Sequence, residues 1–201
     1  MSLPRHSRTH SAPGLGEPLL RVAIPADEAA VDALMKASAA VLFPRVYDER
    51  QSASAVQYVA QVDPALLADG TYFVLESGDE LVGCGGWSRR DKLYTGSGDA
   101  AGDDRLLDPA SEPARVRAMF VRADWTRRGL GRRILEACEA AAKAEGFLRL
   151  GLVATLPGLP LYLAYGFRQL EELDVVMPDG VAIPCVSMEK AIERAETRCE
   201  A

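Results

Sequence analysis

Apolar positions along the chain switch between a period of two and a period near 3.6, and the switches mark the elements. Residues 20–24 read as a first strand, ended by Pro25. Asp27 is a good N-cap, and Val31, Leu34, Met35, Ser38, Val41 and Leu42 follow at helical spacing. A helix is therefore expected to about Leu42. The segment FPRVYDERQ, residues 43–51, reads as a turn, and a second helix is expected to about Val62. Residues 71–76 and 80–88 form two strands around Ser77-Gly78-Asp79, a hairpin signal.

Periodicity then fades across residues 89–114, which carry Gly, Asp, Ser and Pro. A loop of that length in a compact domain is functional or disordered. Order returns at 115–121, where Val116, Ala118 and Phe120 alternate with Arg115, Arg117 and Met119. The turn ADWTRRGLG leads into a helix from Gly129 to about Glu145, with Leu130, Ile134, Leu135, Cys138, Ala141 and Ala142 on one face. Gly146 suits a C-cap. Residues 148–154 are a strand with Leu148, Leu150 and Leu152 on one side, and a short helix over 159–165 ends at Gly166. Two strands, 167–177 and 181–189, meet at Pro178-Asp179-Gly180. The order β-α-α-β-β-β-α-β-α-β-β predicts a mixed α/β domain, one sheet with helices on both faces.

The 201 residues suit one domain with a sizeable core, expected over 19–190 between a disordered tail at 1–18 and a polar helical tail at 191–201. The net charge of -6 argues against a general nucleic-acid binder. Neither a signal peptide nor a span of roughly 20 apolar residues stands out, so no membrane partner is expected and a cytoplasmic location is the plain reading. Cys84, Cys138, Cys185 and Cys199 form no CxxC and have no neighbouring histidine, which suggests neither a metal site nor a disulfide framework. The two histidines, His6 and His10, fall in the N-terminal tail, which leaves no imidazole for a nucleophile–His pair in the folded body.

One turn carries chemistry. In Arg127-Arg128-Gly129-Leu130-Gly131-Arg132 the glycines let the backbone turn sharply beside a ligand, and the free N–H groups and dipole of the helix start favour an anion. Three arginines add charge. From the loop alone, two readings stand: a pyrophosphate cradle, or a helix that begins with Gly and carries surface arginines. A Walker loop lacks its Gly-Lys-Ser/Thr, and a dinucleotide fingerprint would need Gly where Ile134 stands.

The stretch RAMFVRADWTRRGLGRRILEACEAAAKAEGFLRLGLVATLPGLPLYLAYGF resembles the acetyl-CoA-binding half of the GNAT superfamily of N-acetyltransferases, over about 115–167. The family's Gln/Arg-x-x-Gly-x-Gly/Ala reads here Thr126-Arg127-Arg128-Gly129-Leu130-Gly131, with Thr126 in place of the usual first residue. Its Tyr-x-x-x-Gly-Phe reads Tyr162-Leu163-Ala164-Tyr165-Gly166-Phe167. The resemblance implies a GNAT-like fold, with a mixed, mostly antiparallel sheet of about seven strands. It implies acetyl-CoA as acyl donor, with no metal, and an enzyme that acetylates a primary amine of a small molecule or peptide by direct attack on the thioester. It also implies roles. Met119, Phe120 and Val121 would pair through their backbone with the pantetheine arm. Arg127, Arg128, Gly129, Leu130, Gly131 and Arg132 would hold the pyrophosphate. The gap between strands 116–121 and 148–154 would admit the thioester. Tyr162 would donate a proton to the departing thiolate, where the plain alternative is a core tyrosine.

Where many relatives carry Glu at or near position 115 this chain has Arg115. Glu112, Asp108, Asp48 and Glu49 are the candidate bases, beside a water relay. Cys84 and Cys138 raise an acyl-cysteine route, and Trp87, Trp125, Tyr165 and Phe167 read as packing residues. The competing reading of the whole is a non-catalytic acyl-CoA-binding or sensing domain on the same fold. A homodimer is allowed, and substrate recognition is expected from 43–51 and 89–114.

Overall fold

The computed structural model describes residues 17–92 and 105–193. Both histidines, most of the two expected tails and the middle of the 89–114 loop lie outside the described residues.

Seven strands form one sheet in the order β1-β2-β3-β4-β5-β7-β6, where β1 is Leu19–Val22, β2 Tyr72–Ser77, β3 Glu80–Ser88, β4 Ala114–Val121, β5 Arg149–Thr155, β6 Arg168–Val176 and β7 Ala182–Ala191. Neighbours run antiparallel except β4 and β5. That is the expected mixed, mostly antiparallel sheet. Strand β7 continues to Ala191, past the expected end of the domain.

The helices bury apolar stripes on opposite faces. Helix α1 (Glu28–Leu42) buries Val31, Leu34, Met35, Ser38 and Ala39, and packs with α2 (Glu49–Tyr58) and α3 (Pro64–Ala68) over a core that includes Tyr72, Val74, Cys84 and Ile183. Helix α4 (Leu130–Ala144) buries Leu130, Ile134, Leu135, Cys138 and Ala142. It lies with α5 (Leu159–Tyr165) on the other face, over Val116, Leu150, Leu152, Ala154 and Met188.

Three local expectations need correction. The second helix stops at Tyr58, and a separate helix, α3, follows at Pro64, where the Asp63 side chain accepts from Ala65 N–H as an N-cap. The 43–51 turn is shorter than expected. It is a 3-10 turn over Phe43–Arg45, and Asp48 already caps α2 by accepting from Gln51 N–H at 2.7 Å.

The third concerns β4. Val116 packs with the α4 face, as do Met119 and Val121, whereas Ala118 and Phe120 pack with the α1 face. The alternation reverses because Ala118 sits at φ 52°, and the β3–β4 register shifts between Cys84 and Gly86. A bulge of this kind re-aims the residues beyond it. Its left-handed residue is held in place by the buried Tyr72, whose hydroxyl donates to the Ala118 carbonyl at 2.8 Å.

Candidate functional site

Strands β4 and β5 pair only at Ala114–Leu150 and Arg115–Gly151. Beyond that point they part, and a cleft of about 660 Å³ opens between them. Leu42, Phe43 and Val46 line it from one face of the sheet, and Leu130, Leu161 and Tyr162 from the other. The opening therefore passes through the sheet. Val116 to Val121 form one wall, with Val153, Thr155 and Leu156 opposite.

The peptide groups of that wall have a fixed orientation. Arg122 N–H donates to the Val82 carbonyl on β3, so by strand alternation Phe120 also faces β3. Met119 and Val121 turn their peptide groups away from β3, toward the opening. The Val121 carbonyl is taken by the Ser38 hydroxyl at 2.8 Å. All three residues named from sequence line the cleft.

At one end of the cleft stands the start of α4. Its N-cap, Gly129, has φ 80°, and Arg127 has φ 64°. The left-handed region costs a residue with a Cβ about 1–2 kcal/mol, so the turn is held against a preference at Arg127. The first bond within the helix runs from Arg133 N–H to the Gly129 carbonyl, which leaves the N–H groups of Leu130, Gly131 and Arg132 at the open end. A Cβ on Gly129 would meet nothing within 4 Å, while one on Gly131 would lie 2.7 Å from Leu161 Cδ2. The first glycine thus serves the turn, and the second serves the contact of α4 with α5.

Arg127 and Arg132 line the cleft. Arg132 also pairs with Glu136 at 2.9 Å and lies over the Tyr165 ring. Arg128 is exposed, and its guanidinium stacks on Trp125 with 4.6 Å to the centroid. Trp125 is itself a lining residue, so the stack sets Arg128 at the rim rather than on the wall.

Tyr162 sits on α5 in the cleft wall, 8% exposed, its ring edge-on to Phe167. Burial pushes its phenol well above its ordinary pKa, with Cys138 a lesser cause. The group is therefore protonated throughout the neutral range. Among the described residues its hydroxyl makes no hydrogen bond. Tyr165 differs from the packing residue expected. It is half-buried, with its hydroxyl on Glu139 at 2.7 Å and its ring beneath Arg132 and Lys190.

None of the four candidate bases reaches the cleft. Glu112 makes a two-oxygen contact with Arg105 and accepts from Asp108 N–H; the Arg105 contact, its largest influence, draws its pKa down to about 2. Asp108 accepts from Ser111 and Ala110. Asp48 is the α2 cap, and Glu49 opens the same helix. Arg115 pairs with Asp91 at 2.9 Å. The cysteine route also finds no geometry. Cys84 and Cys138 are fully buried in opposite cores, and burial pushes the Cys84 thiol up to about 12.

Three residues that shape the cleft carry no motif. Tyr47 donates to the Pro184 carbonyl at 2.8 Å and accepts from Leu156 N–H at 2.9 Å, tying the α1–α2 connection to the ends of β5 and β7. Asp63 and Arg117 form a buried ion pair at 2.7 Å behind the wall, with side chains 4% and 2% exposed. Their separation of 54 positions hides the pairing from any local pattern.

A family model described as an acetyltransferase (GNAT) domain matches residues 68–169, from α3 through the first residues of β6. The chain belongs to the GNAT acetyltransferase family. It is accordingly an acyltransferase, and the matched span holds the splayed strands, the α4 turn and Tyr162. No curated protein matches the chain. Solved structures share the fold. A GCN5-related N-acetyltransferase from Rhodopseudomonas palustris is 21% identical over 90% of this chain and 99% of its own, with a TM-score of 0.66. PaiA N-acetyltransferase from Thermoplasma acidophilum, in complex with coenzyme A, is 14% identical over 87% of this chain and 98% of its own, at 0.60. YncA from Salmonella typhimurium, with its cofactor acetyl-CoA, is 15% identical over 92% of this chain and all of its own, at 0.58.

Proposed function

We propose that the protein transfers an acetyl group from acetyl-CoA to a primary amine of a small molecule or peptide, by direct attack of the amine on the thioester. The observation that carries this reading is the coincidence, in one cleft, of three features: an open strand edge at Met119–Val121, an anion-favouring helix start at Gly129–Arg132, and a buried phenol at Tyr162.

The cleft fits the donor's chemistry. Coenzyme A combines a pyrophosphate with a pantetheine arm built of amides. The Leu130, Gly131 and Arg132 N–H groups and the Arg127 and Arg132 side chains suit the pyrophosphate, with Arg128 adding charge at the rim. The outward Met119 peptide groups and the Val121 N–H suit the arm as an added strand, with Phe120 holding the strand to β3 and the Val121 carbonyl kept by Ser38. An N–H of this wall would stabilise the oxyanion as the amine nitrogen bonds to the carbonyl carbon. The carbon–sulfur bond then breaks, and Tyr162 protonates the departing sulfur. The amine's own proton leaves to solvent and from there restores Tyr162. The products are an amide and free coenzyme A.

The phenol must arrive protonated, as a tyrosine is at neutral pH; the upward shift from burial keeps that proton in place but makes the group a weaker acid, so the role rests on its position in the cleft wall. The experiment is release of free coenzyme A from acetyl-CoA, with and without a panel of primary amines. Release that depends on an amine supports transfer. Binding of coenzyme A without amine-dependent release would leave an acyl-CoA-binding domain.

A further inference from the structure

The end of the cleft away from α4 has its own chemistry. Among the described residues, every charged residue lining the cleft is an arginine: Arg45, Arg117, Arg127 and Arg132. Arg127 and Arg132 stand at the α4 end, and Arg117 is neutralised by Asp63. Arg45 is different. It lies across the sheet from α4, is exposed, and has no ion-pair or hydrogen-bond partner among the described residues.

Its position is fixed. Arg45 ends the Phe43–Arg45 turn, in which the N–H groups of Val46 and Tyr47 both return to the Phe43 carbonyl, at 3.1 and 3.0 Å. Two residues on, Tyr47 bolts the turn to Leu156 and Pro184. Beside Arg45 the surface is apolar. Leu42, Phe43, Val59 and Phe120 line the cleft, and Val46 is 49% exposed there. A free guanidinium next to uncovered apolar surface matches a ligand with an anionic group and an apolar group close together.

We infer that the acetyl acceptor is an amine that also carries a carboxylate, an apolar amino acid, with its carboxylate on Arg45 and its side chain against Val46 and Phe43. This rests on the transferase reading above. The amine then reaches through the sheet toward the thioester. Among the described lining residues a plain alkylammonium would find arginines and no carboxylate, which disfavours it. A zwitterion has no net charge, and its carboxylate gains the forked donor that Arg45 offers.

The test is steady-state kinetics at saturating acetyl-CoA with apolar amino acids, each beside its carboxamide and its decarboxylated amine. The intact protein should favour the carboxylates by about ten- to a hundred-fold in kcat/KM, the range for one charge-assisted contact. Arg45→Gln should erase that preference and leave the Kd for coenzyme A unchanged. Arg45→Glu should turn the order toward the decarboxylated amines. Equal use of the three forms by the intact protein, or no use of any, overturns the inference. So does an Arg45→Gln variant that keeps the carboxylate preference, or that loses coenzyme A affinity instead. Failure of the intact protein to bind coenzyme A would sink the transferase reading itself, and this inference with it.

Discussion

Tyr162→Phe separates chemistry from packing, because the hydroxyl of Tyr162 has no hydrogen-bond partner among the described residues while its ring is 8% exposed. The substitution keeps the edge-on contact with Phe167 and leaves no protein group unpaired. Stability should therefore change by less than about 0.5 kcal/mol, as for substitutions that disturb no buried feature. Tyr47→Phe is the matched control. It removes the donor to Pro184 and strands the Leu156 N–H, so it should cost about 1–3 kcal/mol. At about 2–4 °C per kcal/mol for a domain of this size, Tyr47→Phe should shift Tm by several degrees and Tyr162→Phe should barely move it. Activity should follow the opposite order. Loss of a general acid lowers kcat by about 10²–10⁴, with the Kd for coenzyme A within a few fold. The assay is thiol release at saturating acetyl-CoA and acceptor, beside thermal unfolding of the same samples. Because burial raises the Tyr162 pKa, kcat should show no fall through the neutral range from loss of its proton. A Tyr162→Phe protein with kcat near that of the parent would refute the role, and would make Tyr162 a core residue with water as the acid.

The α4 turn gives two further tests. Gly131→Ala should press on Leu161 and displace the helix carrying Tyr162, lowering kcat at a stability cost of about 1 kcal/mol, since a flexible side-chain end can give; unchanged kinetics and Tm would remove the contact's role. Arg127→Gly should relieve the left-handed strain and raise stability by up to about 1 kcal/mol while weakening coenzyme A binding, as read by unfolding and by titration; binding as tight as the parent's would take Arg127 out of the cradle. Arg117→Met should leave the buried Asp63 with only the Ala65 N–H and Lys92 at 3.4 Å, and cost about 3 kcal/mol, the low end for breaking a buried pair, measured by denaturant unfolding. Burial, the largest influence on Asp63, pushes its pKa up, but Arg117, the Ala65 N–H and Lys92 together carry it below the ordinary value. A depressed folded-state pKa gives stability that is present above about pH 4, the unfolded value, and lost as pH falls through the folded one. The parent should thus lose stability in acid more steeply than Arg117→Met does; parallel acid curves would count against the pair.

The strands, both long helices and the α4 turn were legible because each is a local pattern. The stripe from Leu130 to Ala142 needs only its own spacing, and Gly129 announces a left-handed cap. Features set by distant contacts were not. The break at Tyr58 depends on Asp63 capping the next helix, and Asp63 is held by Arg117 from another strand. The reversal at Ala118 comes from a bulge that Tyr72 supports from β2, so reading 116–121 as simple alternation put Ala118 and Phe120 on the same face as Val116. The candidate bases were drawn from segments flanking the site in sequence, and each carboxylate proves to be committed to a cap or an arginine, or to lie away from the cleft. Arg45 and Tyr47 lie in the segment expected to recognise substrate, but only the fold turns that segment to the cleft.

The central claim is that this cleft moves an acetyl group onto an amine. Its most direct test is mass spectrometry of acceptor and coenzyme A after incubation with acetyl-CoA labelled in the acetyl group. The account predicts an N-acetylated acceptor carrying the label, formed one for one with free coenzyme A, and reduced about 10²–10⁴-fold in rate by Tyr162→Phe. Coenzyme A that binds tightly while the label remains on the thioester, whatever amine is supplied, would contradict it.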